Sequence, residues 1–88
     1  MEVKFRRSFE RDLRRIRDET LRQRVWGTIT ALARARRVGD IPGAARLRGS
    51  DRHYKIRVGN YRLGFVLEED TAVLVRFLHR RDIYRHFP

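Results

Sequence analysis

Eighty-eight residues make one domain with a modest core and are too few for two. Hydrophobic content of 41% favours a folded globule over disorder. No apolar run approaches a membrane-spanning length, Met1 to Phe5 opens no signal peptide, and the absence of cysteine removes disulfides, thiolate zinc ligands and thiol nucleophiles together. These features predict a cytoplasmic chain, and the three scattered histidines make no metal-ligand spacing, so neither metal nor cofactor is expected. A formal charge of +11, from 22 Lys plus Arg against 11 Asp plus Glu, points to a polyanionic partner, because neutralising phosphates releases condensed counterions. Only Lys4 and Lys55 among those cations are lysine, and guanidinium binds phosphate through a planar fork that deprotonation does not switch off. An anionic membrane surface is the less favoured partner, since no basic amphipathic helix with bulky apolar anchors is evident.

Met1 to Arg6 alternates Val3 and Phe5 against Glu2, Lys4 and Arg6, which predicts a first strand. Ser8 is placed to cap a helix with Glu10 and Asp12 in its first turn, and Phe9, Leu13 and Ile16 form its apolar stripe. Asp18-Glu19-Thr20 interrupts that pattern and caps a second helix, in which Leu21, Val25, Ile29 and Leu32 recur at helical spacing while Trp26 and Ala33 widen the stripe. Trp26 reads as core there rather than as a binding residue. Arg34, Arg36 and Arg37 suit the last turn, and Gly39 is placed to stop it. The two helices predict an antiparallel hairpin with one shared seam. Residues 39–51 read as a connecting loop rich in glycine and Pro42.

His53 to Val58 and Tyr61 to Leu67 both alternate, and Gly59-Asn60 between them suits a two-residue type II′ turn with glycine first. That turn sets the register: Val58 faces Tyr61, Arg57 faces Arg62, Ile56 faces Leu63, Lys55 faces Gly64 and Tyr54 faces Phe65. Tyr54, Ile56 and Val58 share one face, and His53, Lys55 and Arg57 the other. Like charges directly opposite destabilise a sheet, so Arg57 against Arg62 calls for a compensating anion or carboxylate. Gly64 leaves a depression beside Lys55 that would admit something large. The face is either a phosphate-binding surface or the solvated outside of a very basic sheet. Tyr54 and Tyr61 point by parity to the apolar side and read as core rather than as base-stacking residues. Glu68-Glu69-Asp70 predicts an acidic turn, residues 71–78 a largely buried strand, and residues 79–88 a helical turn or two with Ile83 and Phe87 inward.

The predicted order is β-α-α-β-β-β with a short C-terminal helix, an α+β fold in which a small, mostly antiparallel sheet packs on an N-terminal helical hairpin. The succession Leu47-Arg48-Gly49, Tyr54-Lys55-Ile56-Arg57, Gly59-Asn60-Tyr61-Arg62-Leu63 and His79-Arg80-Arg81-Asp82-Ile83-Tyr84-Arg85 resembles the RelE/ParE superfamily of type II toxin–antitoxin toxins, in its RelE-like branch. The resemblance covers nearly the whole chain, 1–88, as a single domain. It implies a ribosome-dependent endoribonuclease that cleaves mRNA in the decoding site and is held inactive by a cognate antitoxin; ribosome, mRNA and antitoxin are the implied partners. The family's catalytic cations correspond to Lys55, Arg57, Arg62 and Arg80. Its C-terminal tyrosine corresponds to Tyr84, the nearest tyrosine, while an ungapped match falls near His86 and Phe87. Histidines used by some relatives make His79 and His53 lesser candidates, and Arg48, His53 and Arg81 are RNA-binding candidates.

The chemistry that this implies needs no metal. The 2′-hydroxyl of RNA attacks the adjacent phosphate, so the protein has to align the attack, stabilise charge on phosphorus, and move two protons. Arg57, Arg62 and Arg80 suit charge stabilisation, and Lys55 is the candidate base. Phe9, Trp26, Ile83 and Phe87 are candidates for an apolar surface that an acidic antitoxin segment would cover. Two rival readings keep the fold without the chemistry: a ParE-like DNA gyrase inhibitor, and a basic nucleic-acid or ribosome-binding module without catalysis.

Overall fold

A computed structural model describes residues 1–88. Its elements are β1 (Glu2–Phe5), α1 (Arg7–Arg14), α2 (Glu19–Arg34), a 3-10 turn (Val38–Asp40), β2 (Ala44–Arg46), β3 (His53–Val58), β4 (Tyr61–Glu68), β5 (Thr71–His79) and α3 (Ile83–His86). The strands form one sheet in the order β1-β5-β4-β3-β2, antiparallel except where β1 runs parallel to β5. The α+β class, the helical N-terminal half and the short C-terminal helix are as the sequence predicts. The sheet has one strand more. Ala44 to Arg46, expected as loop, pairs with Ile56 to Tyr54 and forms an edge.

The main core of 13 buried residues lies between the helices and one sheet face, with Phe9, Leu13, Val25, Ile29 and Leu32 meeting Ile56, Val58, Leu63, Phe65, Leu74 and Phe77. Tyr54 stacks on Phe65 and Tyr61 on Phe77, at centroid distances of 5.4 and 5.1 Å, so both tyrosines are core side chains. The helices share this core but contact different strands: α1 runs along β5, whereas α2 crosses β1 and β3.

α1 also protects a sheet edge. β1 pairs with β5 only as far as Leu74, leaving the outer edge of β5 open from Val75 onward. Ser8, expected as a helix cap, instead donates its hydroxyl to the Val75 carbonyl at 2.5 Å, while Arg6 is the residue at the N-cap. One turn later Asp12 accepts the Phe77 N–H at 3.0 Å. The same carboxylate takes the Arg76 guanidinium on both oxygens, at 2.7 and 3.1 Å. Asp12 is buried, and this forked pair satisfies it completely. An i, i+4 pair on α1 thus closes the hydrogen bonds that β1 leaves unmade.

Asp18 caps α2 as expected, accepting the Leu21 N–H at 3.2 Å. The helix stops at Arg34, five residues before Gly39. Ile41 is buried at the end of the 3-10 turn, and reaching that site takes the chain off the helix axis, so Arg36 and Arg37 lie beyond the last turn.

Candidate cationic site

The register of the central hairpin is the one its turn chemistry predicts, with Arg57 opposite Arg62 and Lys55 opposite Gly64. Gly59 has φ +60°, the conformation that a type II′ turn asks of its first central residue and that a side chain would strain. Lys55, Arg57 and Arg62 therefore share the sheet face turned away from the main core. Arg80 joins them through its backbone: its N–H donates to the Asn60 carbonyl at 2.8 Å, which holds the start of the C-terminal segment beside the hairpin turn.

No carboxylate neutralises this face. The chain's two ion pairs are Arg37 with Asp40 and Arg76 with Asp12, and neither includes a candidate site residue. Arg62 donates one guanidinium nitrogen to the Gly59 and Tyr61 carbonyls, at 3.1 and 2.9 Å. The turn's own carbonyl dipoles thus supply part of the compensation that Arg57 against Arg62 requires, and the rest of the Arg62 fork remains free. The side chains of Arg48, Arg57, Arg80 and Arg81 are exposed and make no hydrogen bond within the chain.

The opposite end of this face is not the open depression expected at Gly64. A second apolar cluster of Leu47, Ile83 and Phe87, packed with Val66, Val75 and Leu78, lies there. A Cβ at Gly64 would come within 2.8–2.9 Å of three ring carbons of Phe87, so the glycine accommodates the chain's own phenylalanine. α3 thereby brings Tyr84 to Lys55. The lysine Nζ lies 4.6 Å from the tyrosine ring centroid and donates to its hydroxyl. Tyr84 is otherwise open to solvent, 61% exposed. The tyrosine and the candidate base, 29 positions apart, are thus neighbours.

The two histidines part company. His53 lies on the Lys55 side, its ring 5.5 Å from Phe87 and its Nδ1 2.7 Å from the Ser50 hydroxyl. Ser50 Oγ already accepts the backbone N–H groups of Arg52 and His53. Its single proton is then directed at Nδ1, which leaves Nε2 of a neutral His53 as the N–H donor. His79 instead pairs with Tyr61, meets it edge-on at 5.5 Å, and has Nδ1 occupied by the Arg81 N–H. It belongs to the helix side of the sheet, away from Lys55, and the structure does not gather it into the site.

Of the apolar residues considered for a partner surface, Phe9, Ile83 and Phe87 are buried. Trp26, expected in the core, is 47% exposed, and Phe5 is 42% exposed beside it with ring centroids 6.3 Å apart. Phe5 in turn stacks on Phe9. Together with Leu13 they floor a cleft of about 190 Å³ whose charged lining is Glu10, Arg14 and Arg22. Trp26 follows the fully buried Val25 by one position, which turns its side chain to the flank of α2, at the side where the sheet ends with β1. No helix of the chain is long and apolar enough to cross a membrane.

Residues 3–84 match the sequence model of the family described as ParE toxin of type II toxin-antitoxin system, parDE. Toxin RelE3 of Methanocaldococcus jannaschii is 34% identical over 89 residues, covering 100% of both chains. Among solved structures, a RelB–RelE antitoxin–toxin complex from Methanococcus jannaschii contains a chain similar to this one with a TM-score of 0.82 and 31% identity, over 98% of this chain and 100% of that one. The isolated RelE toxin of E. coli shares the fold, with a TM-score of 0.68 at 18% identity, over 89% of this chain and 82% of that one.

Proposed function

Because the chain belongs to the ParE/RelE family of type II toxin–antitoxin toxins, we propose that it acts as a ribosome-dependent endoribonuclease on mRNA, and that Lys55, Arg57, Arg62, Arg80 and Tyr84 form its active site. The observation that carries this reading is the face of β3 and β4: Lys55, Arg57 and Arg62 share it, no carboxylate pairs with them, and a tyrosine lies against the lysine. The cations suit an anion that the substrate brings. In the reaction, the 2′-oxygen bonds to the adjacent phosphorus, the bond from phosphorus to the 5′-oxygen breaks, and the products are a cyclic phosphate and a 5′-hydroxyl end. Arg57, Arg62 and Arg80 stabilise the additional negative charge on the phosphoryl oxygens. Lys55, as the free amine, takes the proton of the 2′-hydroxyl, water supplies the proton that the leaving 5′-oxygen takes up, and Tyr84 orients Lys55 through its hydroxyl and ring. Arginine hardly deprotonates, so it serves better as electrostatic stabiliser than as proton donor to the leaving oxygen. Nε2 of His53 is an N–H on the same side of the sheet and extends the RNA-binding surface, with Arg48 and Arg81 at its margins.

The family description names ParE, and a ParE-like chain would poison DNA gyrase instead of cutting RNA. The site of toxicity separates the two. Induced expression should stop translation and shorten messages before any DNA-damage response; a DNA-damage response with intact messages would replace the nuclease reading with the gyrase one.

The partner in this reading is an antitoxin, as in the RelB–RelE complex of the Methanococcus jannaschii relative. The cleft between Phe5 and Trp26 suits an apolar side chain from an acidic segment whose flanking carboxylates meet Arg14 and the part of the Arg22 fork not donated to the Leu13 and Ile16 carbonyls, on the side away from Glu10. Trp26→Ala should weaken the complex with the product of the neighbouring antitoxin gene by about 2 kcal/mol, roughly thirtyfold in Kd, as expected for a buried tryptophan anchor. Titration calorimetry reads this directly, and an unchanged Kd would move the interface elsewhere.

A further inference from the structure

α3 has four residues and makes no side-chain capping bond at Asp82, so it has little helical stability of its own. Its placement comes from the two side chains it buries. Ile83 and Phe87 are the inward residues, fully or almost fully buried with Leu47 on the sheet face opposite the main core. Ile83 anchors the start of the helix. Phe87 sits past its end and its ring occupies the notch at Gly64.

That notch adjoins the candidate site. Gly64 pairs with Lys55 across the hairpin, so the Phe87 ring lies over the position directly opposite the lysine. Tyr84, between the two anchors in sequence, lies over Lys55 itself. Tyr84 is otherwise exposed, and its hydrogen bond within the chain is the one from Lys55. Any other L-residue at position 64 would place a Cβ inside contact distance of three ring carbons, and a ring has no flexible end that can swing clear. The ring would have to lift, with α3 attached.

We infer that Phe87, seated in the Gly64 notch, is a positioning residue that holds Tyr84 against Lys55. It touches no substrate and acts through the attitude of α3. The consequence for cleavage rests on the nuclease reading; the consequence for the Lys55–Tyr84 contact does not.

Composition provides a direct readout. Lys55 shares the chain with a single other lysine, Lys4, so a carbon–proton correlation spectrum of the purified chain contains two lysine ε-methylene signals. The Lys55 signal should be shifted by the Tyr84 ring current, and Tyr84→Leu should remove the shift. Gly64→Ala should move it to the unshifted position and lower single-turnover cleavage on programmed ribosomes by about a hundredfold, the scale expected when a reacting group is displaced by about an ångström. Gly64→Ala combined with Phe87→Leu, which makes room for the added methyl, should recover part of both. If Gly64→Ala does not fold, Phe87→Ala makes the same test, because the small cluster is separate from the main core. A Lys55 signal still shifted in folded Gly64→Ala or Phe87→Ala would overturn the inference, and so would a double variant no better than Gly64→Ala. The predicted spectral changes in a chain that cuts no RNA would leave the positioning role in place and remove the nuclease reading.

Discussion

Arg62→Ala is expected to lower ribosome-dependent cleavage by about a hundredfold or more, the usual cost of removing one preorganised group that stabilises transition-state charge. The fold should survive. The two Arg62 bonds to the Gly59 and Tyr61 carbonyls tie a turn that glycine chemistry and a six-pair register already define, and losing such a bond costs about 1 kcal/mol. Removing Arg62 also relieves its opposition to Arg57, which offsets part of that loss. Arg62→Lys distinguishes charge from geometry: it keeps the cation and loses the planar fork, so its activity should fall between alanine and wild type. Arg80→Ala should likewise lose cleavage and keep the fold. Single-turnover cutting of a defined message, compared at equal folded concentration, measures all three. Wild-type-like cleavage in Arg62→Ala would remove that residue from the site.

The largest expected effect on stability is at Asp12. Its carboxylate holds the Arg76 guanidinium and the Phe77 N–H, and its side chain is 1% exposed against 17% for that of Arg76. Asp12→Ala leaves a mostly buried guanidinium and a buried backbone donor without partners, which should cost about 3–5 kcal/mol. In a domain of this size that lowers Tm by roughly 12 °C or more. Asp12→Asn keeps an acceptor for Phe77 and loses the charge, so it should fall between the two. Thermal unfolding followed by far-UV circular dichroism reads the series. A Tm within a few degrees of wild type for Asp12→Ala would mean that water replaces the carboxylate at the β5 edge.

Asp12 and Arg76 also mark the limits of what is legible in the chain. Each interrupts an apolar pattern, Asp12 beside Leu13 on the α1 stripe and Arg76 between Val75 and Phe77. Opposite charges inside two buried patterns are a pairing signal, but nothing local says that their elements touch. Ser8 is the same case: its identity suits an N-cap, and only the place where β1 ends turns its hydroxyl toward Val75. The hairpin was fully legible because turn type and alternation are short-range and together define a register. β2 was not, since Ala44-Ala45-Arg46 has no alternation of its own and is a strand by virtue of β3. Trp26 lies on a widened helical stripe whose outer margin the sheet does not reach. At the site, the cations on β3 and β4 followed from parity alone. The wall at Gly64 did not, because a glycine announces that something approaches closely without saying that it is Phe87 from 23 positions onward.

The most direct test of the account is primer-extension mapping of a defined mRNA programmed into ribosomes, with the purified chain added, beside the same mRNA free in solution. Cuts are expected in the decoding site that require the ribosome, leave 5′-hydroxyl ends and are lost with Arg62→Ala. An intact message on programmed ribosomes, with folded chain present, would contradict it.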